Sequence, residues 1–243
     1  MRWKVQLEGD QKGLEQLSQS FDKDPRIFEE DNEYYLWSSQ FQNIDQSGEV
    51  QKAGEQIVRI VRHLGELDSL RVSDLEVPRV IEIQEDGSER KIVHLSASAT
   101  ATATASARVS IDGEELPPKA ESTYEYTQLA LNDTKVQELI ELRDNGDHWV
   151  NLYRIYEYIE DNVDVQGNIT SQEWWPESEI GRFKRTANSP EAIGHEARHA
   201  DENIDREPPD PMAHAEAKSL IDDLIHSWLE HRKDVLESSD EEN

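Results

Sequence analysis

The stretch DGEELPPKAEST, Asp112 to Thr123, places Gly113 and the adjacent Pro117 and Pro118 between two segments whose apolar residues follow different periods. Proline has no amide proton to give to a helix or a sheet, so such a cluster interrupts either. The chain is therefore expected to form two domains. Residues 1–116 read as an α+β domain and residues 124–236 as a helical domain. The closing ESSDEEN, residues 237–243, reads as an acidic disordered tail.

In RWKVQLEG the apolar Trp3, Val5 and Leu7 alternate with polar neighbours, which predicts a strand with one buried face. Leu14, Leu17 and Phe21 then stand at helical spacing. RIFEEDNEYYLWSSQF reads as a hairpin turning at Glu30 to Glu33. From Gly48 the period lengthens, and Val50, Ala53, Ile57, Ile60, Val61 and Leu64 line one stripe of a helix that ends near Gly65. VPRVIEIQEDGSERKIVHL is a second hairpin, with Asp86-Gly87 at its turn. The order strand, helix, strand, strand, helix, strand, strand predicts a ferredoxin-like antiparallel sheet covered by helices.

SASATATATASA, residues 96–107, has alanine at every odd position and a hydroxyl residue at every even one. A strand would sort these into a smooth alanine face and a hydroxyl face, whereas a helix would scatter them. A threonine ladder that recognises a regular surface needs several such strands, and this chain has a single run, so a structural role is expected.

Beyond the junction the spacing is helical. Val136, Leu139, Ile140 and Leu142 form one stripe behind a cap at Asn132 or Asp133. Trp149, Leu152, Tyr153, Tyr156 and Ile159 form another behind Asp147, and Ala217, Ile221, Leu224 and Trp228 line a last helix. Aromatic residues at that spacing are what helix packing demands, so this half is expected to be a small helical bundle.

The net charge of −28, from 53 acidic and 25 basic residues, argues against a duplex-DNA surface, because phosphate contacts need lysine and arginine. The acidic residues are spread along the chain, and arginine (15) exceeds lysine (10). That pattern suits a high-salt cytoplasm, where screening relieves self-repulsion. A nucleic-acid mimic would gather its charge on one face. No apolar run is long enough for a membrane span or a signal core, which predicts a cytoplasmic protein without membrane contact. Without cysteine, any metal would need histidine and carboxylate ligands.

One motif spells such chemistry. His195-Glu196-Ala197-Arg198-His199 fits H-E-x-x-H, in which two histidines four apart on a helix hold zinc and the glutamate activates water. Its context argues against a site. Arg198 lies between the ligands, and Glu202 stands where the elongated pattern needs glycine to bring round a third ligand, here Asp205. Glu216 and His214 are distant alternatives. No cofactor is therefore expected, and the alternative is a zinc hydrolase with His195 and His199 as ligands and Glu196 and His199 as catalytic candidates.

The segment GRFKRTANSPEAIGHEARHADENIDREPPDPMAHAEAKSLIDDLIHSWLE resembles a family of prokaryotic proteins without a settled activity. Arg-Phe, Thr-Ala-Asn, Arg-His and Pro-Met recur there before a Trp-containing helix. The matching positions are Arg182-Phe183, Thr186-Ala187-Asn188, Arg198-His199 and Pro211-Met212. The resemblance spans about 50 residues, leaves His195 outside the pattern, and implies which residues matter without implying an activity.

Those positions share a charge. Between Gly181 and Ala200 stand four basic residues, Arg182, Lys184, Arg185 and Arg198, against Glu191 and Glu196. Arg182, Arg185, Asn188, Arg198 and His199 are anion-binding candidates, expected to be brought together by a helix that starts at Ser189-Pro190-Glu191. The plainer expectation is that these arginines pair with nearby carboxylates and bind the two halves together. Arg232, remote in sequence, offers a control. Helical ribonucleases of the HEPN type place an arginine a short fixed interval before a histidine; here nine residues separate Arg185 from His195, and Arg198 adjoins His199, so neither spacing fits. The leading expectation is a non-enzymatic binding or assembly module that meets a protein partner or itself and carries a small anion site. Zinc hydrolysis and a nucleotide- or RNA-directed activity are the alternatives.

Overall fold

The computed structural model describes residues 2–94, 120–163, 169, 172, 174–197 and 210–241. The SASATATATASA run, most of the Gly-Pro junction, Arg198, His199, Glu202 and Asp205 lie outside the described residues. The chain divides into two compact units, Met1–Gln128 and Leu129–Asn243.

The first unit contains β1 (Trp3–Glu8), α1 (Gln11–Ser20), β2 (Arg26–Glu30), β3 (Glu33–Trp37), α2 (Ser47–Leu67), β4 (Glu76–Ile83) and β5 (Glu89–Ile92). This is the order expected from the alternation of periods. The strands lie β2-β3-β1-β4-β5, and every neighbouring pair is antiparallel. Each helix therefore joins two strands that leave room for a third between them, which is the split β-α-β arrangement of the ferredoxin-like fold with β5 added at one edge. The β2–β3 hairpin turns through Asp31 and Asn32, both at positive φ (53° and 60°), a conformation that a two-residue hairpin requires and that these residue types tolerate.

Trp3, Val5 and Leu7 are buried on the inner face, together with the α2 stripe of Val50, Ile57, Ile60, Val61 and Leu64. Ala53 is only half-buried, and Gly54 takes its place against Val5. One expectation is corrected: β1 is buried on both faces, for Lys4 and Gln6 are also inaccessible. Lys4 can be buried because opposite charge reaches it from both edges of the sheet. Its ammonium contacts Glu30 of β2, lies 2.7 Å from Glu89 of β5, and sits 4.0 Å from the ring centroid of Tyr35. Burial pushes the lysine pKa down, but hydrogen bonds and charge from Glu30 and Glu89 outweigh it and leave it raised.

Helix α3 (Ala120–Asn132) begins in the first unit. There Thr123 donates to Asp68 (2.6 Å) and the Tyr124 ring meets Phe21 edge-on. The second unit continues with α4 (Thr134–Arg143), α5 (Trp149–Asn162), α6 (Glu177–Ala187), the single turn α7 (Pro190–Ile193) and α8 (His214–Glu241). Helix α5 packs against α4, α6 and α8, and the three predicted stripes supply the core.

Three details differ from expectation. In α4 the buried residue at the end of the stripe is Arg143, paired with Asp222 at 2.8 Å, while Leu142 is half-buried. The cap of α5 is His148, and Asp147 instead lies 3.6 Å from Lys218. Helix α8 runs through residue 241, over most of the stretch expected as a tail, because its periodic burial through Arg232 carries the helix onward.

Candidate functional site

Helix α6 presents Ile180, Phe183, Thr186 and Ala187 inward, and its basic residues fall between them. Phe183 stacks on Tyr153, with centroids 5.8 Å apart, and on Trp149 at 6.0 Å, which fixes the rotation of the helix. Arg182 is thereby aimed at the chain leading into α8. Its guanidinium lies 3.4 Å from Glu179, 3.3 Å from Asp210 and 3.0 Å from Glu216, and it donates to the carbonyls of Asp210 and Pro211. One turn on, the Thr186 hydroxyl donates to the Arg182 carbonyl (2.9 Å) and accepts from the Met212 amide (3.0 Å). Residues separated in sequence, Arg182 and Thr186 on α6 and Asp210, Pro211 and Met212 before α8, thus form one latch. Among the described residues, the groups that meet Arg182 belong to the helical unit.

Glu216 completes that latch by accepting from the Ala213 amide at 2.8 Å. This amide, and then the charge of Arg182, hold its carboxyl below the usual range. A depressed carboxylate contributes stability above its unfolded value, and the contribution is lost as the pH falls through the folded one.

The other island residues diverge. The Lys184 ammonium pairs with Glu160 (3.2 Å) above the ring of Tyr156. Tyr156 donates to the same carboxylate, and burial first, then Glu160, push its phenol far above the ordinary range. Asn188 turns back on its own helix and donates to the Lys184 carbonyl (2.8 Å). Arg185 is exposed and lies back over Gly181, where an added Cβ would stand 3.2 Å from its guanidinium. Among the described residues no carboxylate pairs with it.

The helix expected at Ser189-Pro190-Glu191 forms, with the Ser189 hydroxyl accepting from the Ala192 amide at 3.3 Å. It is only one turn long and stops at Gly194, whose φ is +63°. Gly194–Glu196 is a tight 3-10 turn, and Ala197 is extended (ψ 139°). The zinc reading needs an unbroken helix from 195 to 199 to set both imidazoles on one face. The backbone leaves helical geometry at Ala197, so that frame is absent, and His195 and Glu196 are exposed. Among the described residues no three histidine or acidic side chains gather as a metal ligand set.

A second feature had no sequence signal. At one end of the sheet Arg2, Arg26, Trp37 and Gln42 line an open hollow of about 530 Å³. These residues come from four separate places in the chain, and only the pairing of β2 with β3, which sets Arg26 opposite Trp37, joins two of them.

Compared with protein-family models, curated proteins and solved structures, the chain finds no match. No family model therefore supports the resemblance drawn from Arg182-Phe183, Thr186-Ala187-Asn188, Arg198-His199 and Pro211-Met212.

Proposed function

We propose that this protein is a non-enzymatic binding or assembly module whose helical unit receives an anionic group, a carboxylate or phosphate of a partner or a small ion, at the exposed end of α6. The observation that carries this reading is the division of labour on that helix. Arg182 and Lys184 are committed to carboxylates of their own unit, whereas Arg185 is exposed and, among the described residues, carries no such partner. A planar guanidinium left open on an otherwise acidic surface is suited to a bidentate anion.

Melting curves with added inorganic phosphate test it. Phosphate at about a hundred times its dissociation constant raises stability by roughly 2.7 kcal/mol through linkage. Arg185→Ala is expected to lose that gain without changing the phosphate-free midpoint, while Arg182→Ala is expected to lower the midpoint with or without phosphate. A phosphate response that survives in Arg185→Ala refutes the assignment.

The same reading includes a high-salt cytoplasm. With −28 charges spread along the chain, the thermal midpoint is expected to climb from low salt into the molar range, where the screening length is about 3 Å. A midpoint that stays flat over that range removes this part of the proposal.

A further inference from the structure

We propose that the hollow lined by Arg2, Arg26, Trp37 and Gln42 is a ligand site for a small molecule that joins a flat ring to one anionic group, of about the size of a mononucleotide. The charge pattern of the sheet points there first. The other described cations of β1, β4 and β5 face carboxylates: Lys4 meets Glu30 and Glu89, Arg79 lies 3.7 Å from Glu8, Arg90 lies 3.7 Å from Glu82, and Lys91 lies 3.3 Å from Glu33. Arg26 differs. It is exposed, it rests 5.2 Å from the ring centroid of Phe28, and among the described residues no carboxylate pairs with it. Register places it opposite Trp37, so a guanidinium and a half-buried indole flank the same space.

Each lining group supplies one part of such recognition. The guanidinium offers a fork of donors to a phosphate or carboxylate. An indole face accepts any flat ring, and the Gln42 amide both donates and accepts at a ring edge. The volume, about 530 Å³, falls within the roughly 300–1,000 Å³ of small-molecule sites. Size and charge also choose between a single anion and a polyanion, because a chain of −28 repels a nucleic-acid strand far more than one phosphate.

Arg2 shows what the anionic end would replace. Its guanidinium holds Asp45 at 2.8 Å and Glu82 at 3.5 Å, and Asp45 is 90% exposed. A carboxylate so open to water is held weakly, and an incoming anion takes its place on Arg2 while Arg26 provides the second contact. Asp45 is thus a built-in competitor.

Calorimetric titration of the full chain at one fixed salt concentration tests the site with adenosine monophosphate, indole-3-acetate, inorganic phosphate, adenosine and an RNA hexamer. The nucleotide or the indole acid is expected to bind at least about tenfold more tightly than phosphate or adenosine, and the tighter of the two names the anion. Arg26→Ala is expected to weaken that ligand by about tenfold or more. Trp37→Phe, which keeps a ring, is expected to weaken it less than Trp37→Ala, and Asp45→Asn is expected to tighten it. The proposal is overturned if neither ring-bearing acid binds at millimolar concentration, if phosphate or adenosine alone binds equally well, if Arg26→Ala binds as the wild type does, or if the hexamer binds more tightly than the mononucleotide. The residues belong to the α+β unit, so failure here leaves the Arg185 reading untouched, and the reverse holds.

Discussion

Asp133→Ala is expected to destabilise the helical unit by about 3–5 kcal/mol, because it strands a buried guanidinium. The Asp133 and Arg232 side chains are only 6% and 10% exposed. One Asp133 oxygen accepts from Nε of Arg232 at 3.0 Å and from a second guanidinium nitrogen, while the other accepts from the Lys135 amide at 2.9 Å and caps α4. Alanine removes both functions, and loss of the cap alone costs about 1 kcal/mol. Asp133→Asn keeps a capping oxygen, so it should fall between the wild type and alanine. Replacing the pair together, Asp133→Leu with Arg232→Met, is expected to recover part of the loss, since the cost lies in the unpaired charge more than in the missing bond. Urea denaturation followed by helical circular dichroism measures each variant. A loss below about 1 kcal/mol for Asp133→Ala shows that water reaches Arg232. This pair also disqualifies Arg232 as a neutral surface control: it is distant from the basic island in sequence, but it is a core residue.

That pair marks where sequence reading reaches its limit. Asp133 is legible as a cap because capping depends on residues two and three positions away. Its partner lies 99 residues on, and nothing in the spacing of α8 distinguishes Arg232 from a solvated arginine. The same division runs through the first unit. The hairpin turns at Asp31-Asn32 and Asp86-Gly87, and the stripes of α2 and α5, follow from local period and turn chemistry. The burial of Lys4 does not, for it requires Glu30 and Glu89 to arrive from opposite edges of the sheet. An alternating pattern reports which residue types can face water, and a cation met by two carboxylates need not.

The candidate sites divide in the same way. The basic island is visible in sequence as a local excess of charge, and its residues do share α6, but a helix sends neighbouring positions in different directions. Arg182 turns to the lead into α8, Lys184 to α5, and Arg185 outward. The H-E-x-x-H spacing is legible too, yet its meaning depends on a helix that ends at Gly194. The turn α7 stops at Gly194, and Ala197 is extended, so spacing alone does not supply the helix that the motif presupposes. The hollow around Arg26 and Trp37 has no linear signature, because strand pairing and the lead into β1 assemble it.

Gly13→Ala is expected to destabilise the α+β unit by about 3 kcal/mol, the upper end of what overpacking typically costs, because the obstacle is rigid backbone. In an isolated helix the same change would stabilise by about 1 kcal/mol, since glycine loses more backbone freedom than alanine. Contact reverses the sign. A Cβ at position 13 would stand 2.0 Å from the carbonyl oxygen of Arg71 and 2.9 Å from its carbon, and neither is the end of a flexible side chain. Helix α1 would have to move outward. That motion pulls Leu14 and Leu17 from the core and strains the Asp10 cap, whose oxygen accepts from the amides of Lys12 and Gly13. Gln19→Ala, at an exposed position of the same helix, introduces alanine without a new contact and is expected to change stability by only a few tenths of a kcal/mol. Parallel denaturation of the two variants separates the causes. If Gly13→Ala is as stable as the wild type, α1 does not approach Arg71 closely, and the glycine is an accident of sequence instead of a condition of the fold.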